Sequence, residues 1–308
     1  MKGLPPLALL AVVSGAVCFV PSSPAEEPGK LAFTASGKEF RFDTGVLQGT
    51  LRKDGRAIGL KPIVHPSTGA QVAILNSMGL LSPYRIFTPN HRFADGWSWA
   101  SQANLGADGA VEVHWAADQK QPFEMNGVYR IAARNAFDFT VTIKPRVRLE
   151  KFELFMASYC QAPDAFVYVQ GDAAGKKAAY FSPVMKADGI WQAFPRDTKT
   201  LEIIRDGRWK AEPHPVDWVV RPQLAAPLAY RRDPDSKLTT VLMSSPPDCF
   251  MVSSPHSGEP HRSLYFSLFG RDLPAGQEAQ AGMRLVVDRD LSEQQILDLY
   301  NKYVDERR

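Results

Sequence analysis

The sequence predicts an all-β protein: a large antiparallel β-sandwich with a C-terminal helix. Three observations predict it. Short stretches alternate apolar and polar residues with the two-residue period of a half-buried strand. Turn signals such as Asp54-Gly55, Asp108-Gly109 and Pro274-Ala275-Gly276 recur between them. A clear helical period comes only at the end of the chain, the pattern of a sheet protein with one late helix.

The start of the chain stands apart. Met1-Lys2 leads into an apolar run from Leu4 to Val20, then Pro21-Ser22-Ser23-Pro24-Ala25. A basic start, a short apolar core and a small-residue end describe a secretory signal peptide over residues 1–25. The run is short for a spanning helix and no similar run follows, so no membrane insertion is expected after signal removal. The expected location is secreted or periplasmic. A lipoprotein start at Cys18 would want a small residue before it, and Val17 stands there. Residues 26–308 then read as a single β-sandwich domain with a terminal helix over 291–306.

Along that domain, Lys38–Asp43 and Val46–Leu51 read as strands, followed by Lys53-Asp54-Gly55-Arg56 as a turn. Ile58–Val64 and Gln71–Asn76 follow. Val111–Trp115 alternates cleanly. Met125–Ala132 and Ala136–Lys144 pair across Ala133-Arg134-Asn135, with Phe137, Phe139, Val141 and Ile143 on one face. Lys151–Tyr159 and Ala165–Gln170 continue the pattern. Residues 171–222 read as long loops with short strands and a helical turn. Leu238–Ser244, Cys249–Ser253, Ser263–Leu268 and Gln280–Val287 are strands again. Ser292 and Gln295 then form a capping box ahead of Ile296, Leu299, Tyr300 and Tyr303 on one helical face.

Composition narrows the partners. Lys plus Arg number 36 against 33 Asp plus Glu, a net charge of +3, and loss of Lys2 with the leader brings the chain closer to neutral. No basic block is present, which argues against nucleic acid and anionic membrane surfaces. Beyond the leader only Cys160 and Cys249 remain, too few for a disulfide scaffold. A Cys160–Cys249 bridge and two buried free thiols both stay open. There is no Cys-x-x-Cys, G-x-S-x-G elbow, P-loop or dinucleotide glycine fingerprint. No metal and no cofactor is predicted, and nothing in the pattern assigns an oligomeric state.

Residues 78–101 are the densest in binding chemistry: Tyr84, Arg85, Asn90, His91, Arg92, Asp95, Trp97 and Trp99. Aromatic faces stack on sugar C–H faces, while fork-shaped and amide donors take hydroxyls. Tyr84, Arg85, Asn90, Arg92, Trp97 and Trp99 are therefore candidate sugar ligands; ordinary core packing is the alternative for the aromatics. Glu124 and Trp191 join them as substrate-binding candidates. Trp191, Arg196, Asp197, Trp218 and Arg221 lie in the irregular middle and suit the roof of a groove, whereas Trp209 between Arg208 and Lys210 reads as a surface anchor. Pro255–Arg262 holds His256, Glu259 and His261, an acid–base set or a solvated hairpin loop. Gly258 and Pro260 exclude a helical zinc motif there. Glu153 is a carboxylate on an apolar aromatic strand. Facing the core it must be paired; on a concave face it would serve as a hydroxyl ligand or base, and a solvent-facing strand position is the alternative. The catalytic candidates are thus Glu153, His256 and His261.

The chain resembles the galactose-mutarotase-like (aldose 1-epimerase-type) superfamily and uncharacterised exported bacterial proteins of that type. The resemblance rests on Phe40–Leu51, on Tyr84, Arg85, Asn90 and Arg92, on Val128–Lys144, and on Leu268–Val287 with its Leu-Pro-Ala-Gly turn. It implies a supersandwich that binds carbohydrate on a concave face. Aldose epimerases pair a histidine acid with a glutamate base late in the chain. Here the corresponding strand, Leu264–Phe269, contains no carboxylate, and no good counterpart of the central histidine motif is present. The expectation is an exported, carbohydrate-directed protein, with epimerase-, lyase- or glycosidase-like chemistry if it is an enzyme. A non-catalytic glycan-binding protein and a structural envelope protein are the alternatives. The enzyme reading requires Arg85, Arg92, Glu153 and His256 to meet in one cleft.

Overall fold

The computed structural model describes Met1 and residues 31–37, 39–52, 59–171 and 178–307. Apart from Met1, the expected leader with Cys18 lies outside the described residues, as does the expected turn Lys53–Arg56.

Between residues 31 and 307 the described chain builds three sheets. The largest has nine strands; Ala279–Arg289 is the middle one, and beside it lies the hairpin Phe123–Ala133 with Ala136–Pro145. Their register sets Tyr129 opposite Phe139 and Val128 opposite Thr140. Phe137, Phe139, Val141 and Ile143 are all buried, as the two-residue period requires. A seven-stranded sheet runs in the order Val219–Val220, Trp191–Pro195, Cys249–Pro255, Ser263–Leu273, Leu149–Tyr159, Ser82–Thr88 and His91–Arg92. One apolar core joins Phe123, Met125 and Phe139 of the nine-stranded sheet to Leu154, Met156 and Phe266 of the seven-stranded one, and to Phe40 and Ile63 of a smaller five-stranded sheet. This is an antiparallel sandwich in which each inner face contributes alternate residues.

The C-terminal helix spans Glu293–Glu306. The Ser292 hydroxyl accepts from the Gln295 N–H, and the Gln295 side chain accepts from the Ser292 N–H, which closes the expected capping box. Ile296, Tyr300 and Tyr303 pack with Tyr230, Val241, Met243 and Val286 of the nine-stranded sheet in a second cluster.

One expectation changes, and one strand lies where none was expected. The strand expected at Gln71–Asn76 is broken up: Ala70–Gln71 is a strand, Ala73 makes an isolated bridge to Cys160, and Ser77 then donates to the Ile74 carbonyl and turns the chain. Leu224–Arg232 is a strand, but its run LAAPLAYRR is buried on both faces and so shows no alternation to read. The irregular middle contains strands Tyr180–Pro183, Trp191–Pro195 and Val219–Val220 and a short helix, Thr200–Ile204. Cys160 and Cys249 are both buried and free. Burial pushes the Cys160 thiol up to about 12 and the Cys249 thiol up as well, so neither is a ready nucleophile.

Candidate functional site

The side of the seven-stranded sheet that faces away from the sandwich core is also covered. On strand Leu149–Tyr159, Leu154 and Met156 point into the sandwich. Alternation then turns Glu153, Phe155, Ala157 and Tyr159 to the opposite face. Residues 200–218 fold over that face and build a third cluster with Phe87, Phe155, Met251 and Tyr265. The rings interlock. Phe155 stacks on Tyr265 at 4.6 Å between centroids, and Trp209 meets Phe155 edge-on at 4.7 Å and Trp218 edge-on at 5.1 Å.

The covering segment does not close completely. It leaves a cavity of about 380 Å³, lined by Tyr84, Arg85, Phe155, Tyr159, Tyr265 and Trp191 from the sheet, by Trp209, His214, Pro215, Val216 and Trp218 from the cover, and by His261 from a hairpin loop. Tyr84, Tyr159, Trp191 and Trp218 are half-buried, so part of each ring remains accessible. A shallower extension shares Tyr84, Tyr159 and His261 and adds Met78 and Trp97. No carboxylate lines the main cavity among the described residues. Burial pushes the Tyr265 phenol up to about 12 and raises that of Tyr159 further, so both stay neutral hydroxyls at ordinary pH.

Arg85 is the unusual member. It is 5% exposed, and among the described residues its side chain donates one hydrogen bond, from Nη2 to the Tyr84 hydroxyl at 3.2 Å. The guanidinium lies 4.9 Å from the Tyr84 ring and 5.6 Å from the Trp209 ring, while its buried Nε has no acceptor. Among the described residues no carboxylate pairs with it. A guanidinium does not give up its proton, so the charge stays. Contacts with aromatic faces return about 0.5–2 kcal/mol. An unsatisfied buried polar group costs about 1–3 kcal/mol, and more when charged. The indole N–H groups of Trp209 and Trp218 are also buried without acceptors.

Glu153 lies elsewhere on the same face, sealed and fully occupied. It is 0% exposed. Arg208 Nη1 donates to its Oε2 at 3.0 Å, and the Ser267 hydroxyl donates to Oε1 at 2.6 Å. Arg208 also forks onto Asp206 and donates to the Lys151 carbonyl at 2.9 Å. Burial pushes the Glu153 carboxyl up, against the pull of Arg208 and Ser267. Burial alone would lower Arg208, but Asp206 and Glu153 hold it above its ordinary range. Glu153 therefore tethers the covering segment, and Trp209, the next residue after Arg208, becomes cavity wall. The expectation that Trp209 is a surface anchor is corrected: its ring is buried among Phe87, Phe155 and Trp218.

The remaining sequence candidates fall into three groups. Trp191 and His261 line the cavity, and Trp97 stacks on the back of Tyr84 at 3.8 Å and 22°. Asn90 and Arg92 hold the cover instead. Asn90 sits at a positive φ of 55° in the turn before His91, against Gly207, where an added Cβ would come within 2.6 Å of its side chain. Arg92 bonds Asp95 at 2.7 Å and the Pro213 carbonyl. Trp99, His256 and Glu124 lie outside the cavity lining. Trp99 packs edge-on against Phe123 in the sandwich core. His256 Nδ1 faces the Ser257 carbonyl at 2.6 Å. Glu124 pairs with Arg146 at 3.4 Å on the nine-stranded sheet. Of Arg85, Arg92, Glu153 and His256, only Arg85 lines the cavity, so the four do not converge.

Three lining residues carried no signal in the sequence beyond their type: Tyr159, Tyr265 and His214. Tyr159 shared the parity of Glu153, which is the one clue that pointed to it. At His261, Nδ1 lies 2.7 Å from Glu259, whose other oxygen accepts from the His261 N–H at 2.8 Å. A carboxylate there accepts only, so Nδ1 carries a proton, and in the neutral ring Nε2 is the acceptor.

No protein-family model matches the chain, and no curated protein matches its sequence. Solved structures do match its architecture. The Slr1438 protein of Synechocystis sp. PCC 6803 is similar over 83% of this chain and 99% of its own, with a TM-score of 0.51 and 10% identity. A galactose mutarotase related enzyme from Lactobacillus acidophilus is similar over 83% and 99%, with a TM-score of 0.46 and 10% identity. An α-galactosidase from Lactobacillus brevis is similar over 82% of this chain, which spans 39% of that enzyme, with a TM-score of 0.44 and 10% identity. At such identities the likeness concerns the fold alone.

Proposed function

We propose that the protein is an exported sugar-binding protein whose site is the aromatic cavity on the outer face of the seven-stranded sheet. The observation that carries this reading is the lining itself. Four half-buried rings, Tyr84, Tyr159, Trp191 and Trp218, surround a cavity of about 380 Å³ that also presents neutral phenols and a guanidinium. Accessible aromatic faces beside hydroxyl-directed donors suit a flat polyhydroxylated ring. The volume lies at the lower end of small-ligand pockets, about 300–1,000 Å³. Export rests on the leader-like residues 1–25.

Binding without turnover is the form of this function that the geometry favours. A carboxylate pair is the usual equipment for glycoside hydrolysis, and Glu153, the carboxylate on the same face of the sheet strand, is sealed under Arg208. Titration of a mono- and disaccharide panel by calorimetry tests the reading. Trp191→Ala should weaken the best sugar about tenfold, or 1.4 kcal/mol, with little change in folding. An unaffected affinity, or no sugar bound at all, refutes it.

One observation favours a second reading, proton transfer at His261. Glu259 orients that ring and leaves Nε2 free at the cavity wall. Product analysis by NMR separates the two: interconversion or cleavage of a bound sugar that is lost in His261→Ala supports chemistry.

A further inference from the structure

We infer that the sugar recognised by this cavity is acidic, with its oxyanion seated on Arg85; the inference rests on the sugar-binding reading above. Among the described residues Arg85, Arg208 and Arg231 are buried. Arg208 is matched by Glu153 and Asp206. Arg231 has no carboxylate, yet its Nη atoms reach the Ala162, Pro163 and Pro255 carbonyls and the Ser254 hydroxyl. Arg284, less deeply placed, pairs with Asp138 and Glu306. Arg85 alone of these four has a single neutral oxygen to donate to, and it is also the one that lines a cavity.

The deficit around it has one sign. The orphaned buried groups on the lining residues are Arg85 Nε and the indole N–H groups of Trp209 and Trp218, all donors. No lining side chain is a carboxylate, so nothing in the wall would repel an anion. The acidic residue nearest in sequence to a lining group, Glu259, is engaged by the backbone and ring of His261. A neutral sugar hydroxyl would accept one hydrogen bond from Arg85 and leave its charge uncompensated. A carboxylate or phosphoryl group accepts two in the planar geometry of the fork and neutralises it. The aromatic walls exclude water from that pair and strengthen it. The chemistry shared by the candidate ligands is thus a sugar ring bearing an oxyanion, either a uronate or a sugar phosphate.

Calorimetry on the full mature chain tests this with matched probes: D-glucose against D-glucuronate and glucose 6-phosphate, D-galactose against D-galacturonate, and sodium acetate and inorganic phosphate alone. The expected result is that at least one acidic sugar binds about tenfold or more tighter than its neutral parent, and that added NaCl erodes the difference. The uronate and phosphate arms identify which oxyanion is taken. Arg85→Gln should abolish the preference, so that the acidic sugar binds no tighter than its neutral parent. Equal binding of acidic and neutral sugars overturns the inference and leaves the sugar reading standing. Acetate or phosphate binding as tightly as the acidic sugar overturns the sugar reading, and the inference with it. The comparison of probes on the unmodified protein decides the matter even if Arg85→Gln fails to fold.

Discussion

Arg208 and Arg85 are two buried arginines near Trp209, the first its neighbour in sequence and the second with its guanidinium 5.6 Å from the ring, and they are treated in opposite ways. Arg208, fully buried, is saturated by Glu153, Asp206 and the Lys151 carbonyl. Arg85, nearly as buried, has one phenol and two ring faces. The first arrangement fastens a segment onto a sheet. The second holds a charge ready beside an opening, at a cost the fold alone does not recover. Burial and charge are the same in the two cases; the difference is whether a protein oxygen has been supplied. Networks that serve structure are completed within the protein, and sites are where completion is left to a ligand.

The strongest way to break this comparison is at the tether. Arg208→Met keeps bulk but strands Glu153 in a sealed pocket. Urea denaturation should show a loss of about 3–5 kcal/mol, and the Trp209 environment should change in tryptophan fluorescence. Adding Glu153→Gln in that background should recover part of the loss, because the stranded charge is then gone. A loss below about 1 kcal/mol would mean that the pair does not hold the cover. The opposite sign is expected at Arg85. Arg85→Gln removes a cation with no ion-pair partner, so the ligand-free protein should keep its stability or gain up to about 2 kcal/mol. A large loss there would show that Arg85 is structural after all.

The smallest effect concerns the rim of the tether. Asp272 accepts from the Lys151 N–H and from Arg148, and these bonds hold its carboxyl below the usual range. Lys151 sits at a positive φ of 41°, and its carbonyl serves Arg208. A depressed carboxyl stabilises the fold fully above its unfolded pKa, about 3.9, and that contribution disappears as pH falls through the lower folded value. Asp272→Asn should therefore shift the urea midpoint at pH 6 by the equivalent of less than about 1 kcal/mol, since the group is exposed and screened. The gap between variant and wild type should shrink towards pH 3. A gap that widens on acidification contradicts the assignment.

Much of the fold was legible in residues 123–145 and 292–303. There the strand period and the capping box are local properties, and local patterns survive into the structure because one face of each element is solvent-exposed. Leu224–Arg232 was illegible for the converse reason: both of its faces are buried, so alternation vanishes. Glu153 was ambiguous on the same grounds. Its strand is covered by the sandwich on one face and by residues 200–218 on the other, and no strand period can announce a second cover that arrives from 50 residues downstream.

The site divides in the same way. Tyr84, Arg85, Trp97, Trp191 and His261 were readable because polar aromatics and forked donors crowded on loops and strand ends are a chemical signature in themselves. The sequence by itself determined the sandwich, the closing helix, the near-neutral surface and the stock of rings and donors, all of which follow from periodicity and composition. Only the tertiary structure decided which of those groups share a cavity. Strand pairing brought Tyr84, Phe155 and Tyr265 side by side, and the Glu153–Arg208 pair set Trp209 over them. Those contacts join residues far apart in the chain, and long-range contacts leave no mark on local spacing. They placed Arg208 among carboxylates and left Arg85 without one.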